Sequence, residues 1–167
     1  MGSAPPPKKI LIMTFDDNYS TKLAKILIKR NITIDDKIGF SNWTNYNKNT
    51  IYTFLSGTMR KIWMHHFTGT NAVIFIMEGS EGTKSEKEIV SYLINKNLIG
   101  APILILVDRN KKSENYEREI AMELLRKSLN DYSIKYNVMN IDFENITPTN
   151  SANYGIDWIE NEIRMKK

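Results

Sequence analysis

Six consecutive apolar residues, Ala72-Val-Ile-Phe-Ile-Met77, lie between a Gly-containing turn at Thr68 to Asn71 and a polar loop at Gly79 to Thr83. The run leaves no position free for a solvated side chain, so it reads as a strand buried on both faces. Such a strand requires helices above and below its sheet. The preceding Arg60 to Phe67 reads as a short amphipathic helix, and two further apolar runs, Lys9 to Thr14 and Pro102 to Val107, repeat the buried-strand pattern. Helical spacing fills the intervals: Thr21 to Arg30 with Leu23, Ile26 and Leu27 inward, Lys84 to Asn97 with Ile89, Val90, Leu93 and Ile94, Tyr116 to Leu129 with Ile120, Leu124 and Leu125, and Ser151 to Met165 with Ile156, Ile159 and Ile163. Ile38 to Asn45 and Thr50 to Leu55 predict a hairpin across the Asn-rich turn Tyr46 to Asn49, and Ser133 to Asp142 a last strand. The order predicts a three-layer α/β fold: a six-stranded, mostly parallel sheet with one antiparallel strand and helices on both faces.

The 167 residues suit one domain, 9–167, behind a flexible tail, 1–8, that contains Pro5, Pro6 and Pro7. No apolar run approaches the roughly 18 residues that span a bilayer, which predicts a soluble, cytoplasmic protein, a place in an organelle-associated complex included. Pro6 occupies the position where a myristoylation signal at Gly2 wants Ser or Thr, so membrane attachment is not expected. With no cysteine, and with adjacent His65 and His66 diverging on a helix by about 100 degrees, no metal centre is expected. The net charge of +4 comes from 23 basic and 19 acidic residues spread along the chain. Pairs such as Lys8-Lys9, Lys29-Arg30 and Lys111-Lys112 make no basic stripe, which argues against nucleic acid.

Strand, loop and helix at the front of an alternating chain is where a phosphate-binding loop belongs. Here that loop is Thr14-Phe15-Asp16-Asp17-Asn18-Tyr19-Ser20-Thr21, with neither glycine nor lysine. Two unit charges 4 Å apart repel by about 4 kcal/mol at an effective dielectric of 20, so Asp16 and Asp17 would oppose a phosphate. Adjacent acids before a helix also serve as an amino-terminal cap.

Trp63-Met-His-His-Phe-Thr-Gly-Thr-Asn-Ala-Val-Ile-Phe-Ile-Met-Glu resembles the segment after switch II in Arf and Arf-like small GTPases. Gly155-Ile-Asp-Trp-Ile-Glu-Asn-Glu-Ile163 is similar to that family's final helix, Ile38-Gly-Phe40 to the end of its switch I, and Lys9-Ile-Leu-Ile-Met13 to its first strand. The resemblance spans Lys9 to Lys167. Against the family's pattern, Thr21 stands at the magnesium-binding threonine, while Tyr19 and Ser20 replace glycine and lysine. Lys37 replaces the second magnesium-coordinating threonine. Phe54-Leu-Ser-Gly-Thr58 stands for Asp-x-Gly-Gly-Gln, and Asp108-Arg109-Asn110-Lys111 for the base-reading Asn-Lys-x-Asp.

These replacements imply a pseudo-GTPase: no enzyme, no cofactor, no metal, and a role as a protein-interaction or structural subunit of a larger complex. In that reading Thr14, Asp16, Asp17, Tyr19, Ser20 and Thr21, with Asp108, Arg109 and Lys111, are relics of a nucleotide site, and Phe15 and Tyr19 fill the old pocket. The alternative is a divergent GTP-binding regulator that keeps GTP or GDP with magnesium through a non-standard phosphate loop. A third reading puts a different ligand in an open polar cleft lined by Asp16, Asp17 and Asp108. The family engages effectors through its switches and the hairpin between them, so Phe40, Trp43 and Tyr46 are the expected partner contacts.

Overall fold

A computed structural model describes residues 5–28, 30–77, 82–108, 115–144 and 151–165. Seven strands form one sheet: β1 (Lys8–Thr14), β2 (Thr33–Lys37), β3 (Phe40–Asn45), β4 (Thr50–Leu55), β5 (Ala72–Met77), β6 (Ile103–Asp108) and β7 (Tyr136–Ile141). Their order across the sheet is β2-β3-β4-β1-β5-β6-β7, with β3 antiparallel to both neighbours and every other pairing parallel. The predicted single antiparallel strand is there, but the sheet has seven strands and not six. The addition is β2, all five residues of which are exposed and which pairs with β3 across the two-residue turn Ile38-Gly39. Gly39 has φ +84, the left-handed conformation such a tight hairpin demands of its loop.

Alternation along the strands makes two cores. Ile10, Ile12, Phe54, Ile74, Ile76, Leu104 and Leu106 face one side, covered by α1 (Asn18–Ile28) and α4 (Ser151–Met165) through Leu23, Leu27, Ile156, Ile159 and Ile163. Leu11, Met13, Val73, Phe75, Ile103 and Ile105 face the other side. There they meet a 3-10 helix (Gly57–His66), α2 (Gly82–Leu93) and α3 (Asn115–Asp131) through Trp63, Ile89, Leu93, Leu125 and Leu129. β5 is wholly buried because it lies between these layers and is flanked in the sheet by β1 and β6. Both bounds of α4 match the prediction. The segment expected as an α-helix from Arg60 instead starts at Gly57, runs as 3-10 helix and kinks at Met59, where φ is −120. No helix among the described residues is long and apolar enough to cross a membrane.

Candidate functional site

The carboxyl ends of parallel strands β1 and β4 open onto the loop that enters α1, the point where such sheets bind ligands. Asp16 and Asp17, adjacent in sequence, do different things there. Asp16 Oδ1 accepts the backbone N–H of Asn18 at 2.9 Å, a cap on its own helix. Asp17 reaches across to the 3-10 helix: Oδ1 accepts the Gly57 N–H at 2.6 Å and Oδ2 the Ser56 hydroxyl at 2.7 Å. The expected shared capping role thus holds for Asp16 only.

Phe15 stacks on Trp63 with ring centres 5.9 Å apart and meets Phe75 edge-on. The Arg60 guanidinium lies 4.0 Å over the Phe15 ring and bonds both Glu88 carboxylate oxygens at 2.8 Å. Tyr19 points the other way. Its ring is buried against Phe143, and its hydroxyl donates to Asp108 Oδ2 at 2.6 Å, joining the phosphate loop to the end of β6. Lys22 lies over the Tyr19 ring and bonds Glu144 at 2.7 Å, and that bond is the first cause of its raised pKa. Phe15 and Tyr19 thus pack on opposite sides of the loop. This packing closes the Asp108 side, so the open polar cleft of Asp16, Asp17 and Asp108 does not form.

What opens instead is a groove of about 570 Å³ between α1 and the β2–β3 hairpin. Asp17, Ser20 and Thr21 line it from the phosphate loop, Lys37, Gly39 and Phe40 from the switch I position, and Ser56 from the switch II position. Lys25 adds a second cation, and Ala24, Ile34, Trp43 and Phe54 an apolar floor. Its volume is that of a small-molecule site. Among the described residues no cluster of three or more His, Asp or Glu is placed to hold a metal unaided.

The expected partner contacts separate. Trp43 is buried, 2% exposed, stacked on Phe54 at 5.4 Å with its indole N–H donating to the Ser41 hydroxyl. The expectation of an exposed edge aromatic is corrected: β2 takes the edge, and Trp43 packs into the core on the sheet face beside Phe54. Tyr46 is 74% exposed in its turn, and half-buried Phe40 packs on His66 with ring centres 4.6 Å apart. Arg109, Lys111 and the last loop at 146–149 lie outside the described residues. Reading residues singly gave no sign of Lys25 or Ile34 as groove residues; their only signal was the face of α1 shared with Thr21 and an unassigned segment before Ile38.

The ADP-ribosylation factor family model matches residues 6–163, nearly the whole of this fold. The chain belongs to the ADP-ribosylation factor family. It is 30% identical over 166 residues to ADP-ribosylation factor K of Dictyostelium discoideum, covering 95% of this chain and 86% of that protein. Its identity to ADP-ribosylation factor J of the same organism is 28% over equal coverage. The fold superposes on the Arl6 BBS3 small GTPase of Trypanosoma brucei, solved with the nucleotide analogue GppNp. The TM-score is 0.67 at 15% identity, covering 96% of this chain and 99% of that one.

Membership of this ADP-ribosylation factor family overturns two expectations, that the chain is no enzyme and that it takes no cofactor. The family is one of small GTPases, and the solved small GTPase carries a GTP analogue. Counting replaced side chains misled for a physical reason. A phosphate at a helix N-terminus is held largely by backbone N–H groups and the helix dipole, so replaced side chains do not by themselves abolish such a site.

Proposed function

We propose that this chain is a GTP-binding regulatory Arf-like protein that holds GTP or GDP with magnesium through a non-standard phosphate loop. One observation carries the reading: the phosphate-loop, switch I and switch II positions, far apart in sequence, converge on one groove of about 570 Å³. A site whose three sensing segments share a cavity can register whether a terminal phosphate is present. Lys25 and Lys37, beside the carboxylates of Asp17 and Asp36 and with Lys37 paired to Asp35 at 3.3 Å, are the groove's cations in place of the usual loop lysine. The exposed Thr21 hydroxyl, at the amino end of α1, is a hard oxygen donor of the kind magnesium takes alongside phosphate oxygens. Magnesium bound there would offset phosphate charge. The apolar floor excludes water.

The test is thermal unfolding with and without magnesium and GTP or GDP, together with acid release of co-purified nucleotide. Ligand at about 100 times its dissociation constant should add about 2.7 kcal/mol, which moves Tm by about 5–10 °C in a domain of this length. Thr21→Ala should weaken the magnesium-dependent part of that shift. No shift at millimolar nucleotide and no released nucleotide would overturn the proposal.

The regulatory half of the reading needs a surface for a protein partner. Ile38 at the hairpin tip is 87% exposed, and Met64, Tyr46 and half-buried Phe40 present further apolar area. Crosslinking of GDP- and GppNp-loaded protein, with Tyr46→Ala as control, checks that this surface is read in one nucleotide state.

A further inference from the structure

The Asp17 contact closes a long loop. Its carboxylate takes the Gly57 N–H and the Ser56 hydroxyl, groups 40 and 39 residues away. These groups begin the 3-10 helix, which Ser56 does not cap with its own side chain, so Asp17 provides the anion at that helix end. The approach leaves no slack: a Cβ on Gly57 would lie 2.5 Å from the Phe15 carbonyl and 2.6 Å from the Thr14 carbonyl oxygen. From beneath, the Trp63 indole N–H donates to the Ser56 carbonyl at 2.8 Å and fixes the same turn. In switching nucleotide folds the terminal phosphate, with its magnesium, orders these segments, and its loss releases them. Here an oxyanion of the protein's own phosphate loop already holds the switch II turn in place.

We infer that Asp17 is an internal stand-in for the terminal phosphate and the residue that sets this protein's choice between nucleoside diphosphate and triphosphate. The inference rests on the nucleotide-binding reading above. A triphosphate brings one more anionic group to the Ser56–Gly57 turn than a diphosphate does. It must displace the Asp17 carboxylate and its two hydrogen bonds, or leave its last phosphate without that N–H. A diphosphate leaves the contact standing. The wild-type chain therefore favours GDP over GTP.

The experiment is titration of the full chain with GDP and with GppNp, in magnesium, by calorimetry, for wild type, Asp17→Asn, Asp17→Ala and Ser56→Ala. The readout is the ratio of the two dissociation constants. Wild type should favour GDP, both Asp17 variants should move the ratio toward GppNp by about tenfold, or about 1.4 kcal/mol, and Ser56→Ala should move it less in the same direction. Binding with an unchanged ratio overturns the inference and leaves nucleotide binding intact, as does equal weakening of both ligands, the mark of a magnesium ligand. Failure of every variant and of wild type to bind either nucleotide overturns both readings. Should the Asp17 variants not fold, Ser56→Ala decides alone, and an unchanged ratio there refutes the assignment.

Discussion

Replacing Glu160 by Gln keeps the length and shape of the side chain and removes one buried negative charge. That carboxylate, 3% exposed, joins four parts of the fold. Oε1 accepts from the Tyr52 hydroxyl in β4 and lies 3.5 Å from Arg30 Nη1 after α1. Oε2 accepts from Lys48 in the hairpin turn at 2.7 Å and from Arg164, one turn along α4, at 3.3 Å. The four partners are not equal. Arg164 and Lys48 are 58% and 39% exposed, and solvent screening leaves such pairs about 0–1 kcal/mol each. Arg30 is 14% exposed and Tyr52 1%, and hydrogen bonds to a charged group in such places contribute about 1.5–3 kcal/mol, the Arg30 contact less because it is long. Burial first, then the charge of Glu160, raises the Tyr52 pKa, which keeps its hydroxyl a donor. An amide retains one acceptor but turns N–H donors toward cations.

The expected cost of Glu160→Gln is therefore about 2–4 kcal/mol, most of it from the buried partners. In a domain of this length that lowers Tm by about 5–15 °C. Urea and thermal unfolding at pH 7 measure it, at low salt and at about 0.5 M salt, where exposed pairs are screened and buried ones are not. A loss below about 0.5 kcal/mol, or one that vanishes in high salt, would refute the claim that this is a buried, working charge.

Trp63→Ala should cost about 3–5 kcal/mol by emptying a fully buried site, while Trp63→Phe should cost about 1 kcal/mol, since it keeps a ring against Phe15 and Tyr92 and loses the indole bond to a Ser56 carbonyl that still accepts the Met59 N–H; urea unfolding separates the two, and no loss for Trp63→Phe would assign no role to the indole N–H. His66 has its pKa lowered by burial, then by Lys9 and His65. Its folded value lies below its unfolded one, so its contribution to stability is full above the ordinary value of 6.5 and is lost as pH falls through the lowered folded value. Tm should drop between neutral and mildly acid pH, and His66→Gln should flatten part of that drop.

How much was legible before folding depended on whether the signal was local. The unbroken apolar runs of β1, β5 and β6, four, six and five residues long, announced strands buried on both faces, because such a run has no wet side to offer. The apolar spacing of Ile156, Ile159 and Ile163 placed α4 to the residue. β2, Thr-Ile-Asp-Asp-Lys, carries no such signal. All five residues face solvent, and the strand exists because the backbone of β3 needs a partner. Trp43, opposite Ile34 of that strand, is buried on the sheet face it shares with Phe54. The 3-10 helix was misjudged at its start because its end is capped by a side chain 40 residues earlier in the chain.

By itself the amino-acid sequence determined the class of the fold, its central strands and the loops that follow them, since each is written in the polarity of neighbouring residues. Only the tertiary structure decided what those loops hold. It split Asp16 from Asp17, one to its own helix and one to Gly57. It carried Tyr19 to Asp108 across 89 residues, and gathered Tyr52, Arg30 and Lys48 on Glu160 from more than 100 residues away. Pairings at such separations depend on chain crossings that bring the residues together, and no local pattern of residue types encodes them.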